Sequence, residues 1–192
     1  NVKLLFVIKT LELPGGGAER VLAEITGALA HRGHDVAILS FDRPGGESFY
    51  RLAPSVRRIA HGIGHIRSGT GAGEAVRRIA AIRRLAKTER PDVAIGFMHS
   101  AYIPLGLALL GSGIPVVASE HIAYDHYRSR PLQAALLRLT PLMTRTVTVI
   151  SPAIRDAFPA ILRRQMVVIP NPVAKHGGGA ADVSGEAGSM KT

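Results

Sequence analysis

A glycine-rich stretch near the start of the chain has the composition of an anion-binding loop. Leu13–Leu22, L-P-G-G-G-A-E-R-V-L, joins an apolar run to a segment with helical periodicity. The unpaired N–H groups of a helix N-terminus attract anions, and glycines let the backbone approach them closely. Arg20 stands where a dinucleotide fingerprint needs its third glycine, and the G-K-[ST] of a P-loop is missing. We therefore predict contact with a phosphate or pyrophosphate; the alternative is a plain strand-to-helix turn.

A carboxylate and an imidazole form a second candidate site. Glu120 and His121 follow the apolar run that ends at Ser119. In parallel sheets, ligands bind beside the carboxyl ends of the strands, and histidine can exchange a proton or hydrogen bond near neutral pH. The pair is therefore a candidate for chemistry. The alternative is a loop pair without a chemical role, because polar residues at strand ends are common.

Other polar residues also follow predicted strands or lie in the loops after them. His99 and Ser100 follow another strand-like run, and Tyr124 lies in the loop after His121. Four other histidines, at positions 31, 34, 61 and 65, show no spacing with carboxylates that would suit a metal ion, and we predict them at turns or on the surface. The chain has no cysteine, which excludes disulfides and thiolate sites. We predict no metal and no bound cofactor.

The elements that would position these residues alternate along the chain. Strands are predicted at Lys3–Ile8, Asp35–Ser40, Val56–Ala60, Asp92–Phe97, Pro115–Ser119, Thr146–Ile150 and Met166–Ile169. Helices are predicted at Ala18–Ala30, Glu74–Arg90, Ile103–Leu110, Pro131–Met143 (interrupted at Pro141) and Pro152–Leu162. Gly33 is predicted to end the first helix in the left-handed conformation. Such alternation predicts an α/β domain with a Rossmann-like, doubly wound parallel sheet.

The composition limits the partners. The 192 residues carry a formal net charge of +10, which favours anionic partners or reflects an ordinary basic surface. With four Tyr, five Phe and no Trp there are few stacking platforms, so we predict no nucleic-acid binding. No apolar run approaches the roughly 20 residues that span a bilayer.

The predicted helix Glu74–Arg90 is basic and amphipathic. Its cations lie mostly opposite an apolar side formed by Ile79, Ile82, Leu85 and Ala86. We expect the apolar side to pack on the sheet, as in an ordinary surface helix. The cationic side is a candidate contact for an anionic membrane surface.

The composition of the sequence changes after Pro172, where Gly and Ala are frequent and no apolar periodicity is seen. This composition is typical of a linker. The sequence also begins without Met. We therefore expect one domain at 1–173, a linker or the start of another domain at 174–192, and a longer parent protein.

Taken in order, four stretches resemble glycosyltransferase family 4, the retaining, nucleotide-sugar-dependent enzymes of GT-B fold. These stretches are G-G-A-E-R-V-L at Gly16–Leu22, H-R-G-H-D-V at His31–Val36, S-E-H at Ser119–His121, and V-I-S-P-A-I-R-D with V-I-P-N-P-V between Val149 and Val173. The GT-B fold has two Rossmann-like domains that face each other across a cleft. The chain resembles the first, acceptor-side domain, so the resemblance implies that it is inactive alone.

The resemblance also implies roles for single residues. Gly16 and Gly17 resemble the loop that approaches the donor pyrophosphate, and His121, with Glu120 beside it, resembles the catalytic segment that reaches the transferred sugar. We add His99, Ser100 and Tyr124 as candidates for the acceptor pocket, which the loops at 41–55 and 61–73 would shape. In this family the leaving diphosphate is thought to deprotonate the acceptor, so no protein nucleophile is required.

The implied activity is transfer of a hexosyl or N-acetylhexosaminyl group in cell-envelope or polysaccharide synthesis. The donor would be a UDP- or GDP-linked sugar and the acceptor a glycan or a lipid-linked sugar. Such an enzyme would be cytoplasmic, or peripheral on the inner face of the cell membrane. Two alternatives stay open: a sugar-nucleotide epimerase of the same fold, and a non-catalytic module that binds anions or membranes.

Overall fold

Seven parallel strands form one sheet in the computed structural model, which describes residues 1–14, 16–63 and 71–172. The strands are β1 (Lys3–Ile8), β2 (Asp35–Ser40), β3 (Arg57–Ala60), β4 (Val93–Phe97), β5 (Val116–Glu120), β6 (Thr146–Val149) and β7 (Met166–Val168). Their order across the sheet is β3-β2-β1-β4-β5-β6-β7. The chain winds outward from β1 in one direction and then restarts at β4 in the other. The predicted Rossmann-like, doubly wound fold is thus confirmed, and its switch point lies between β1 and β4.

Helices connect most of these strands. They are α1 (Gly17–His31), α2 (Ala72–Glu89), α3 (His99–Leu109), α4 (Asp125–Arg128), α5 (Pro131–Arg138), α6 (Thr140–Met143), α7 (Pro152–Ala157) and α8 (Ala160–Arg163). None of the helices in the described part of the chain combines the length and apolarity needed to cross a bilayer.

Local sequence signals set the ends of the first two helices. Gly16 is the N-cap of α1, and Gly33 has a φ of +85°, as the predicted left-handed stop requires. Arg90 ends α2 at a φ of +48°, and Pro91 follows it. A proline disfavours helical geometry in the residue before it, so α2 cannot continue.

The core lies on both faces of the sheet. One face packs α2 and α3 against β1, β2, β4 and β5, with Leu5, Leu39, Ile82 and Leu105 at its centre. The other face packs α1 against β1 and β2 through residues such as Leu22 and Ile38. The two packed faces explain why the central strands are continuously apolar.

The basic helix differs from the prediction at one position. Ile82 and Ala86 are buried in the core, as expected for the apolar side, but the Arg78 side chain is also buried, at 2% exposure. Its guanidinium lies 2.5 Å from the Glu74 carboxylate and 4.6 Å from the centroid of the Phe41 ring. The ion pair and the ring contact compensate for burial of the charge. Arg78 is therefore not part of the exposed cationic side.

Several element boundaries differ from the prediction, and two of these differences change the site. Strand β5 continues to Glu120, and α3 begins at His99 rather than at Ile103. Helix α3 is buried on nearly all sides, so its sequence lacks the polar stripe that would mark its start. The predicted helix at 152–162 is two short helices, because Pro159 separates them. The predicted linker after Pro172 lies outside the described residues, as do His65 and most of the loop at 62–73.

Candidate functional site

A cavity of about 330 Å³ lies at the carboxyl edge of the sheet. We call it the glycine-loop cavity. Residues that follow β1, β4, β5, β6 and β7 all contribute to it: Gly16, Gly17, Ala18, Glu19, Met98, His121, Ile122, Ile150 and Asn171. The structure therefore brings the predicted glycines and the predicted histidine into one cavity, beside the switch point of the sheet.

The glycine loop presents the N-terminus of α1 to this cavity. No side chain caps the first turn, because Gly16 has none, so the first amide groups have no side-chain partner at the cap. A Cβ on Gly17 would meet no described atom within 4 Å. A Cβ on Gly16 would overlap the Glu19 carboxylate, which lies beside it. This arrangement can bind an anion through backbone amides, provided that Glu19 moves aside.

His121 is held by contacts on two sides. Its ring stacks on Phe97, with centroids 5.2 Å apart and planes 25° apart, and its Nε2 lies 2.9 Å from Ser119 Oγ. Burial lowers the pKa of the imidazole, so the ring is neutral at pH 7. A neutral, oriented imidazole can exchange hydrogen bonds with hydroxyl groups.

Glu120 lies behind the cavity rather than in it. The side chain is 1% exposed and four donors surround its carboxylate. Tyr102 Oη at 2.6 Å and Tyr127 Oη at 2.9 Å donate to Oε2, while the amides of His121 and Ile122, at 3.0 and 2.9 Å, donate to Oε1. Burial raises the pKa of the carboxyl group, and the four hydrogen bonds oppose that rise. With every oxygen occupied, this conformation leaves no contact for a substrate.

A second cavity, of about 380 Å³, lies between α2, α3 and α5, and we call it the α3 cavity. His99 and Ser100 line it, together with apolar residues such as Ile103, Leu107 and Leu132. Tyr124 lines neither cavity: its ring packs against Phe158, with centroids 5.2 Å apart. Two of the three predicted pocket residues therefore share a cavity, and it is separate from that of His121.

His99 is tied to the buried carboxylate through a tyrosine. Its Nδ1 lies 3.0 Å from Tyr127 Oη, which donates in turn to Glu120. Burial, and then electrostatic interactions with His126, Arg130 and Lys9, lower the pKa of His99 to about 4, so the ring is neutral at pH 7. Hydrogen bonds through His99, Tyr127 and Glu120 thus connect the α3 cavity to the backbone that lines the glycine-loop cavity.

Tyr102 and Met98 are two of the contributors that were not predicted from the sequence. Tyr102 gives one of the four hydrogen bonds of Glu120, but it lies in α3 one turn after His99, and the predicted helix began after it. Met98 lines the glycine-loop cavity with a φ of +66°, which is unusual for a residue with a side chain. Backbone strain of this kind gathers at functional sites, but no sequence pattern marks it. Among the described residues, no three His, Asp or Glu side chains converge in a way that could hold a metal ion.

The chain is similar to known proteins over most of its length. The family model of Glycosyltransferase Family 4 matches residues 15–175. A Campylobacter jejuni protein, GalNAc-alpha-(1->4)-GalNAc-alpha-(1->3)-diNAcBac-PP-undecaprenol alpha-1,4-N-acetyl-D-galactosaminyltransferase, is 32% identical over 123 residues, which cover 62% of this chain and 32% of the relative.

Solved structures share the fold at low identity. Anabaena Alr3699/HepE in complex with UDP and glucose superposes with a TM-score of 0.62 and 18% identity, over 90% of this chain and 45% of that protein. UDP-GlcNAc 2-epimerase from Neisseria meningitidis, bound to UDP-GlcNAc, gives a TM-score of 0.58 and 15% identity, over 86% and 45% of the two chains. The chain thus spans less than half the length of these proteins. Because the family model covers most of the residues, the chain belongs to glycosyltransferase family 4.

Proposed function

We propose that the chain forms the acceptor-side domain of a retaining glycosyltransferase. The enzyme would transfer a hexosyl or N-acetylhexosaminyl group from a UDP- or GDP-linked sugar to a glycan or lipid-linked acceptor. One observation carries the proposal: the amides of the glycine loop and the His121 imidazole line the same cavity at the switch point of the sheet. The chain spans less than half the length of the relatives described above, so we expect it to be inactive alone.

The glycine loop would stabilise the departing diphosphate. Negative charge grows on the diphosphate as its bond to the sugar breaks, and fixed amide dipoles aimed at that charge lower the barrier. Gly17 leaves room for close approach, because no described atom lies within 4 Å of a Cβ built there. Glu19 must turn away when the diphosphate enters, since the two negative charges repel.

His121 would orient the transferred sugar. The ring is fixed by Phe97 and Ser119 and is neutral at pH 7, so it can exchange a hydrogen bond with a sugar hydroxyl without adding charge. Holding the sugar in one orientation converts part of the binding energy into a lower barrier.

The chemical step needs no protein nucleophile. The acceptor hydroxyl attacks the anomeric carbon from the face that the diphosphate leaves. As the new C–O bond forms, the C–O bond to the diphosphate breaks, and the hydroxyl proton passes to a diphosphate oxygen. The buried Glu120 carboxylate, with all its oxygens hydrogen-bonded, fits a mechanism in which it does not attack.

We propose further that the acceptor is lipid-linked. The name of the Campylobacter jejuni relative gives a glycan linked to PP-undecaprenol as the acceptor of that enzyme. In this chain, most residues that line the α3 cavity are apolar, and one of them, Leu132, is 73% exposed. Cations on the exposed side of α2 include Arg77, Arg83 and Lys87. Exposed apolar side chains and exposed cations are both features that suit binding to an anionic membrane surface.

The epimerase alternative is supported by the fold alone, through the similarity to UDP-GlcNAc 2-epimerase. Such an enzyme needs no separate acceptor and yields a free sugar or an epimerised nucleotide-sugar. The two functions therefore differ in their products rather than in their binding of nucleotide-sugar.

The test is a fusion of this chain with the donor-binding domain of a family 4 enzyme. We expect transfer from a UDP- or GDP-sugar to a lipid-linked acceptor, with the α-configured donor giving an α-linked product by NMR. The chain alone should give none. Acceptor-independent epimerisation would favour the alternative. Tight binding of the chain to anionic vesicles without any transfer by the fusion would favour a non-catalytic module.

A further inference from the structure

The proton positions around Glu120 follow from the number of donors. The amides of His121 and Ile122 can only donate, so Oε1 carries no proton. The hydroxyls of Tyr102 and Tyr127 converge on Oε2 at 2.6 and 2.9 Å. Four donors match an ionised carboxylate, which accepts only. A protonated Oε2 would have to donate to one of the two hydroxyls, so that hydroxyl could not also donate to Oε2. The four donors therefore favour the ionised form of Glu120.

The hydrogen bonds at Glu120 determine which ring nitrogen of His99 carries the hydrogen. Tyr127 has one hydroxyl hydrogen, and it points to the carboxylate. The Tyr127 oxygen must therefore accept at its other contact, the 3.0 Å approach of His99 Nδ1. Nδ1 then carries the imidazole hydrogen, and Nε2 carries a lone pair. Nε2 has no hydrogen-bond partner among the residues that the structure describes.

We propose that Glu120, acting through Tyr127, is a positioning residue that fixes His99 in the tautomer with hydrogen on Nδ1. Nε2 of His99 thereby accepts a hydrogen bond from a hydroxyl group of the acceptor in the α3 cavity. The same carboxylate holds the amides at 121 and 122, so it also fixes the backbone that carries His121. The recognition of an acceptor rests on the proposed function; the tautomer does not.

The surroundings of His99 support this role. The ring stands edge-on to Tyr127, with centroids 5.1 Å apart and planes at 85°. His126 lies 6.3 Å away between centroids, and Arg130 and Lys9 also raise the positive potential there. The pKa of about 4 keeps the ring neutral, as a lone pair on Nε2 requires. Ser100 lines the same cavity and supplies a second polar group for a hydroxyl ligand.

The tautomer can be measured by nitrogen NMR of the 192-residue chain at pH 7, with the His99 signals assigned from their loss in His99→Gln. We expect a protonated Nδ1 and an unprotonated Nε2. An imidazole with hydrogen on Nε2, or a charged ring, would overturn the proposal from the wild-type spectrum alone.

Glu120→Gln gives the sharpest comparison. The amide oxygen of glutamine must face the two backbone donors, so its NH2 group faces the tyrosines and donates to Tyr127. The Tyr127 hydroxyl then donates to His99 Nδ1, and the tautomer inverts. Tyr127→Phe removes the link, so both tautomers should be populated. Tyr124→Phe is the matched control: its ring centroid lies 6.4 Å from that of Tyr127, and the tautomer should not change.

A kinetic measurement on the fusion tests recognition separately. Loss of one hydrogen bond predicts that Glu120→Gln raises the acceptor KM about fivefold to tenfold. An unchanged KM despite an inverted tautomer would overturn the recognition of a hydroxyl. If the wild-type fusion transfers no sugar, the proposed function fails, whereas the NMR result still decides the tautomer.

Discussion

Substitution of Gly17 by alanine should change stability and ligand binding in opposite directions. Gly17 is the first residue of α1, its φ is not positive, and a Cβ there would meet no described atom within 4 Å. Alanine loses less backbone entropy than glycine on folding, so Gly17→Ala should stabilise the chain by about 0.5 kcal/mol. At this chain length, that corresponds to a rise in Tm of about 1–2 °C.

The same methyl group should impair the enzyme. It would stand in the glycine-loop cavity, between the helix N-terminus and the diphosphate. Weakening a hydrogen bond to a charged group costs about 1.5–3 kcal/mol, which predicts a fall in kcat/KM for the nucleotide-sugar of about tenfold to 150-fold. The assay is transfer by the fusion, beside thermal unfolding of the 192-residue chain.

Gly27→Ala is the matched control in the same helix. Its Cβ would meet Ala53 Cβ at 3.5 Å, an ordinary contact, and it lies ten residues from Gly17. It should stabilise the chain by about 0.5–1 kcal/mol and leave transfer unchanged. Full activity of Gly17→Ala would refute the approach of the diphosphate to this loop. A large loss of stability would refute the geometry of the loop.

Two further predictions concern the fold. Hydrogen bonds from Arg57 and Lys3 lower the pKa of Glu89 from 4.5 to about 2, so its ionised form contributes stability above about pH 4.5 that is lost as the pH falls toward 2. Glu89→Gln should therefore lower the urea midpoint at pH 7 but not near pH 2; an equal loss at both would contradict this. Gly96→Ala would place Cβ 2.5 Å from Tyr102 Cα, on the backbone of α3. Overpacking should cost about 2–3 kcal/mol, a fall in Tm of about 4–12 °C, and an unchanged Tm would contradict it.

The sheet could be predicted because its signals are local. Buried parallel strands such as β1 and β2 are continuous apolar runs, and Gly33 and Pro91 mark where helices end. The meeting of the glycine loop with His121 follows from the same topology, because the carboxyl ends of parallel strands share one edge.

The role of Glu120 could not be predicted, because it depends on packing between distant segments. Tyr102 lies 18 residues before it and Tyr127 seven residues after it, and their hydroxyls meet its carboxylate only in the folded core. Nor does the sequence distinguish Arg78 from its exposed neighbours, since its burial depends on Glu74 and Phe41. Side-chain pairs that neutralise a buried charge leave no periodic pattern.

The most direct measurement of the central claim is kcat/KM for the nucleotide-sugar in the fusion, compared between His121→Ala and His31→Ala. His121 lines the glycine-loop cavity, whereas His31 is exposed at the far end of α1. We predict a loss of about fivefold to tenfold for His121→Ala, the cost of an orienting hydrogen bond, and a change below about twofold for His31→Ala. Equal activity of the two variants would contradict the assignment of this cavity to the transferred sugar.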